Sequence, residues 1–312
     1  MKRIAWILLC LFWVGCESQE ARKKIENAPS ISEQYQDDTG RKVKLDTEAQ
    51  RIVSLTPNIT EMVFAVGGGD KLVGRSQACN YPEAALELPE IPTYPPPPDL
   101  EAIAALNPDL LLATDEIFSP EVIQHLKQLG VPMYVQKYKE FGDIFRGMRD
   151  LGEILGHPEQ GARVSDSLES LCNRITDSTA NKVHYGTMIL ISADPLLVAG
   201  GAGFLNDMIR RAGGNNVFGA IKTPYHETTV EEILSLKPEV LILPAFRDQV
   251  YAELIATYPA LYNTPADVNK RVHVVNPDLF YRPGPRTVEG LLELTQILHS
   301  GLTINSFVDA QP

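Results

Sequence analysis

Residues 100–112 read LEAIAALNPDLLL and residues 230–242 read VEEILSLKPEVLI, one pattern written twice at an offset of 130 positions. Glu101 aligns with Glu231, Ile103 with Ile233, Leu106 with Leu236 and Pro108 with Pro238, while Asp109 and Glu239 precede apolar runs. Helical spacing, an Asn-Pro or Lys-Pro breaker and a short apolar run together read as helix, turn and buried strand. Two copies so far apart call for two similar halves, each with its own layered core. The length of 312 residues suits two domains, and 44% hydrophobic against 22% charged residues is an ordinary globular balance.

The rest of the chain alternates in the same way. DDTGRKVKL carries a turn signal at Asp38-Thr39-Gly40 and predicts a small hairpin leading into a core strand over Arg51–Leu55. NITEMVFAVG follows, with Asn58 as the expected helix cap, Glu61 three residues on and Gly67–Gly69 as the stop. After a strand at 110–114, Ser119 caps a helix with Pro120 in its first position and Gly130 at its end. PMYVQ precedes a further helix through Leu155. Such alternation predicts a parallel sheet covered on both faces. Val164, Leu168, Leu171 and Ile175 then form one stripe of a long helix starting at Pro158, roughly 30 Å if it runs twenty residues. Alternation resumes with GTMILIS, LLVAG, a helix from about Phe204 to Ala212, VLILP, RVHVVN and a last helix through Leu298. The two α/β halves therefore flank one helix, and the cleft between them is the natural place for a small molecule.

The first sixteen residues, MKRIAWILLCLFWVGC, put two cations before an apolar run too short to span a bilayer, which reads as an export signal. Its end resembles a bacterial lipoprotein processing site, with Gly15 before a Cys16 that would be lipidated, although Trp13 stands where Leu is usual. Each buried acyl methylene would contribute about 0.8 kcal/mol to anchoring. Residues 17–34 are polar and predict a disordered tether. The 40 acidic residues against 28 Lys and Arg, a formal charge of −12, exclude nucleic acid as a favoured partner. Cys79 and Cys172 lack any CxxC partner and are read as free thiols, with a mutual disulfide the alternative in an oxidising compartment.

In order, DDTGRKVKL, RIVSLTPNITEMVFAVG, NYPEAA, LEAIAALNPDLLLAT, AGGNNVF and VEEILSLKPEVLILP resemble the class III substrate-binding proteins of ABC importers, most closely the cobalamin- and haem-binding branch. The resemblance covers about residues 37–300 and implies an α/β fold of two Rossmann-like lobes with parallel sheets joined by one long helix. The lobes would run over 35–156 and 180–312, with the helix at 157–179. It implies an exported, membrane-anchored, monomeric and non-enzymatic receptor facing the periplasm or the extracellular side, whose Glu101 and Glu231 dock on arginines of a permease dimer. A duplicated anion suits a two-fold partner. The competing reading is helix capping, since both acids sit in a first turn and Thr229 with Glu232 matches a capping box.

The same resemblance places the ligand against Tyr81, Tyr94, Leu197, Tyr225, Asp278, Phe280 and Arg282, with the tyrosines as flat walls and Asp278 and Arg282 as orienting groups. Four prolines after Tyr94 predict a stiff, extended loop. The transported ligand is read as cobalamin or another corrinoid, and no intrinsic cofactor or metal is expected. The alternative is haem, with Tyr94 as iron ligand and Arg282 lowering its phenol pKa from about 10; a ferric siderophore is a third. Tyr94 and Tyr225 stand where cobalamin-type relatives often carry Trp. The remote rival is a dinucleotide-dependent enzyme, because LLVAGGAGFLND imitates a phosphate-binding turn, though Asn206 occupies the third glycine position.

Overall fold

Among the described residues a two-stranded hairpin accompanies two larger sheets, each with its own strand order. The computed structural model describes residues 33–45, 47–115 and 119–302. The signal, Cys16 and nearly all of the tether lie outside the described residues; the last two tether positions, 33 and 34, already belong to the first strand.

The N-terminal lobe opens with the expected hairpin, β1 (Glu33–Gln36) against β2 (Lys42–Leu45). Its turn is organised by Asp37, which accepts the Thr39 and Arg41 amides at 3.0 Å each. Asp38 then ties the hairpin to the lobe, accepting from the Lys137 amide at 2.8 Å and from Arg146 at 2.7 Å. The sheet proper runs β5-β4-β3-β6-β7, all parallel: β3 (Ile52–Ser54), β4 (Leu72–Ser76), β5 (Glu90–Ile91), β6 (Leu110–Thr114) and β7 (Met133–Gln136). Between them lie helices α1 (Pro57–Ala65), α2 (Leu100–Ala105) and α3 (Pro120–Leu126), the last with Ser119 accepting the Val122 amide and Gly130 left-handed at φ 68° beyond it. Fully buried runs such as Leu110–Thr114 are what a parallel strand covered on both faces needs.

Helix α4 (Phe141–Ile154) and the predicted long helix α5 (Pro158–Thr179) follow. They approach so closely that a Cβ on Gly152 would lie 2.9 Å from the Gly161 Cα. The C-terminal lobe holds β8 (Gly186–Ala193), β9 (Leu196–Ala199), α6 (Phe204–Arg211), β10 (Asn215–Asn216), β11 (Tyr225–Glu227), α7 (Val230–Leu236) and β12 (Val240–Pro244). It ends with α8 (Val250–Thr257), α9 (Pro265–Val268), β13 (Val272–Val275), α10 (Pro277–Tyr281) and α11 (Thr287–Leu298). Its sheet order is β11-β9-β8-β12-β13, with β10 on β8. Only β8, β10, β12 and β13 are mutually parallel; β9 folds back on β8 through Asp194-Pro195, and β11 is antiparallel to β9, so this sheet is mixed where a parallel one was expected. β8 and β9 are separated by two turn residues, too few for the crossover a parallel pair requires.

One apolar cluster runs through both lobes, from Ile52 and Leu112 through Leu168, Cys172 and Ile175 of α5 to Leu205 and Leu291. Cys79 and Cys172 are both buried free thiols, and burial pushes the Cys172 thiol up to about 11.

Candidate functional site

The repeated segments fold alike, with the same roles at matching positions. Asp99 caps α2 by accepting the Glu101 and Ala102 amides at 2.9 and 3.0 Å, and Thr229, at the same register, caps α7 by accepting the Glu232 amide at 3.2 Å. Ile103 and Ile233 are fully buried. Each helix ends on a left-handed residue, Asn107 at φ 47° and Lys237 at φ 49°, a conformation that ordinarily costs an L-residue about 1–2 kcal/mol. The following acids reach the start of the neighbouring strand: Asp109 accepts the Gln50 and Arg51 amides at 2.8 and 3.0 Å, and Glu239 accepts the Gly186 amide at 2.7 Å.

Capping and strand attachment are thus done by the flanking residues. The expected capping box is half formed, because the Glu232 side chain turns to Thr228 at 2.8 Å and His226 at 3.1 Å instead of the cap residue. Glu101 and Glu231 are exposed and make no side-chain hydrogen bond or ion pair among the described residues.

Between the lobes, the end of α1 and the Asn80-Tyr81 turn face the segment from α10 to α11. Glu61 was expected beside a cap at Asn58. Thr56 occupies the cap position instead, the Asn58 amide donates to the Pro283 carbonyl at 3.2 Å, and Glu61 accepts from Arg286 at 2.8 and 2.5 Å. Arg286 also lies 4.1 Å over the Tyr81 ring. Arg282 pairs with Asp278 at 3.0 Å, donates to Asn80 at 2.5 Å and stands 3.9 Å from Glu61. The floor of the cleft therefore carries two carboxylates and two guanidiniums, a balanced set in which Arg282 is already occupied. Burial pushes the Glu61 carboxyl up against the opposing pull of Arg286, and the Glu61 hydrogen bond raises Arg286. A second junction joins Phe204 to Phe141 with ring centroids 5.0 Å apart, and Asp207 accepts the Phe141 amide at 3.0 Å, capping α4 from the other lobe. Burial alone would raise Asp207, but that amide and Arg211 hold it below the usual carboxylate range.

The three tyrosines expected as walls are open to solvent: Tyr94 is 79% exposed, Tyr225 50% and Tyr81 46%. Gln77, which the sequence did not mark, holds the Tyr94 loop by accepting the Thr93 amide at 2.5 Å and donating to the Tyr94 carbonyl at 3.2 Å. That loop bends through 94–97 instead of running extended. Tyr225 lines a shallow surface dimple, with a cavity volume of only about 20 Å³, together with Phe204, Pro224, Phe280, Tyr281 and Pro283. Phe280 is fully buried beneath it, so the exposed ring on α10 belongs to Tyr281, a residue not foreseen. Leu197 is half-buried on β9, paired with Glu227.

The glycine turn after β9 leaves no space for a phosphate. A Cβ on Gly201 would fall 2.0 Å from the Gly219 carbonyl oxygen, and the Gly200 and Gly201 amides already donate to Pro224 and Ile221 at 2.9 Å. The dinucleotide reading fails on this packing.

Residues 52–279 match the periplasmic binding protein family model. A vitamin B12-binding protein of Vibrio parahaemolyticus is 30% identical over 256 residues, which are 80% of this chain and 90% of that protein. The crystal structure of a periplasmic vitamin B12 binding protein of Vibrio cholerae is similar at a TM-score of 0.72 and 26% identity, over 80% of this chain and 97% of that one. A periplasmic haem binding protein from Pseudomonas aeruginosa reaches a TM-score of 0.72 at 27% identity, over 82% of this chain and 94% of that one. With two lobes and a family match spanning most of its length, the chain belongs to the periplasmic binding protein family, whose members bind solutes and are not enzymes.

Proposed function

We propose that the protein is the receptor of an ABC importer, capturing a corrinoid between its lobes and delivering it to a permease dimer that Glu101 and Glu231 engage. The observation that carries the choice of guest is the balanced floor. Glu61 and Asp278 neutralise Arg286 and Arg282, so an anionic guest finds no unpaired guanidinium among those two, whereas a guest rimmed by neutral amides can exchange hydrogen bonds with the set. Exposed rings at Tyr94, Tyr225 and Tyr281 supply apolar contact at small entropic cost. The vitamin B12-binding relative supports the same guest. Lipidation at Cys16 would hold the receptor at the membrane surface after export.

One feature favours a second reading: the phenol of Tyr94 is the most exposed of the cleft tyrosines, as an iron ligand would be. Titration of the apo-protein with cyanocobalamin and with haemin, following heat and the haem absorption band, separates the two. Saturable cyanocobalamin binding at least about tenfold tighter than haemin is expected, a margin of about 1.4 kcal/mol. The reverse order, with a shifted haem band abolished by Tyr94→Phe, would replace the corrinoid by haem.

A further inference from the structure

Phe246 is 74% exposed, second only to Tyr94 among the large hydrophobic side chains of the described residues. It follows β12 by two residues. Pro244 pairs with Val275 in the parallel sheet, and the Ala245 amide donates to the Val275 carbonyl at 3.0 Å. Phe246 therefore leaves the sheet beside Asn276, whose side chain accepts the Asp278 amide at 3.0 Å and so starts the segment that carries the cleft floor. Parallel strands end on the same side. The end of β13 faces the N-terminal lobe through Arg282 and Asn80, and the end of β12 shares that side. The next residue is fixed: Arg247 makes two bonds of 3.1 Å to Glu253, which anchors the loop to α8 and leaves Phe246 outside. In the strand order β11-β9-β8-β12, Phe246 and Tyr225 are three strand spacings apart, about 14 Å, and the register sets Tyr225 level with Ile242, about 13 Å short of Phe246 along the strands, so the two are about 19 Å apart, a span that only a broad guest with peripheral groups could bridge.

We propose that Phe246 is a further ligand-contacting side chain, an apolar wall on the β12 side of the Asp278–Arg282 pair that complements Tyr225 on the β11 side. The inference rests on the corrinoid reading and narrows the site's specificity: the guest must be broad enough to touch both flanks. A small chelate seated at Tyr225 alone would not reach Phe246.

The test titrates cyanocobalamin into wild type, Phe246→Ala, Phe246→Tyr and Tyr262→Ala. Tyr262 is an equally suitable control, 60% exposed in the turn before α9, whose Ala266 amide bonds to Pro238 at the opposite end of β12. Phe246→Ala is expected to weaken binding about tenfold with an unchanged melting temperature, Phe246→Tyr to bind within about twofold of wild type, and Tyr262→Ala to match it. Equal affinity of Phe246→Ala and wild type, or equal losses in Phe246→Ala and Tyr262→Ala, would overturn the inference while leaving the corrinoid reading standing. Absence of cyanocobalamin binding by wild type would remove that reading, and the inference with it.

Discussion

The two lobes repeat one element and diverge around it. In both, a capped helix, a left-handed residue, a proline, an acid and a buried strand follow in the same register, and in both an exposed glutamate with no side-chain bond among the described residues stands in the first turn. Elsewhere they part: the N-terminal sheet is wholly parallel, whereas the C-terminal sheet turns back on itself through β9 and β11, and that departure delivers Leu197 and Tyr225. Symmetry is kept where a two-fold partner would read it and abandoned where an asymmetric guest would sit.

The sharpest way to break this comparison is to reverse both repeated glutamates. Glu101→Lys with Glu231→Lys should leave cyanocobalamin affinity within about twofold while uptake by cells dependent on this receptor falls at least about tenfold; each single change should fall between, and full uptake by the double variant would remove the docking role. Stability tests the equivalence of the scaffolds next. Ile103→Ala and Ile233→Ala, both emptying fully buried positions, should each lose about 2–5 kcal/mol in urea unfolding and agree within about 1 kcal/mol. The strand-start acids should differ: Asp109→Ala, which deprives two amides, should lose about 1.5 kcal/mol, and Glu239→Ala, which deprives one, about half that.

The smallest effect lies at the junction between lobes and depends on pH. Asp207 has a folded pKa below its unfolded value of about 4, so its stabilisation is fully present above that value and is lost as pH falls through the folded one. Asp207→Asn should therefore lower the melting temperature at neutral pH and converge with wild type over the acid range in which pH falls through the folded value. A constant difference across that range would show that the Phe141 amide does not need the charge.

Much of this was legible in the sequence because it is local. The repeat, the long helix, the hairpin at Asp37–Gly40 and the Ser119 cap all follow from spacing within a dozen residues. What escaped was set at long range. Asn58 and Glu61 have the look of a helix start, yet their partners Pro283 and Arg286 lie 225 residues away, and no local signal marks such a pair. Phe280 and Tyr281 are neighbours on a five-residue helix, too short for periodicity to decide which ring the core takes. The antiparallel β9 did leave a trace, the two-residue gap at Asp194-Pro195, outweighed by the alternation around it.

The contact between Gly152 and Gly161 has a mechanical consequence. Any side chain there would pry α4 from α5, so the first turns of the long helix are fixed against the N-terminal lobe, while Leu168, Cys172 and Ile175 further along it share one apolar cluster with Leu205 and Leu291 of the other lobe. A strut seated on both halves resists any change in the gap between them.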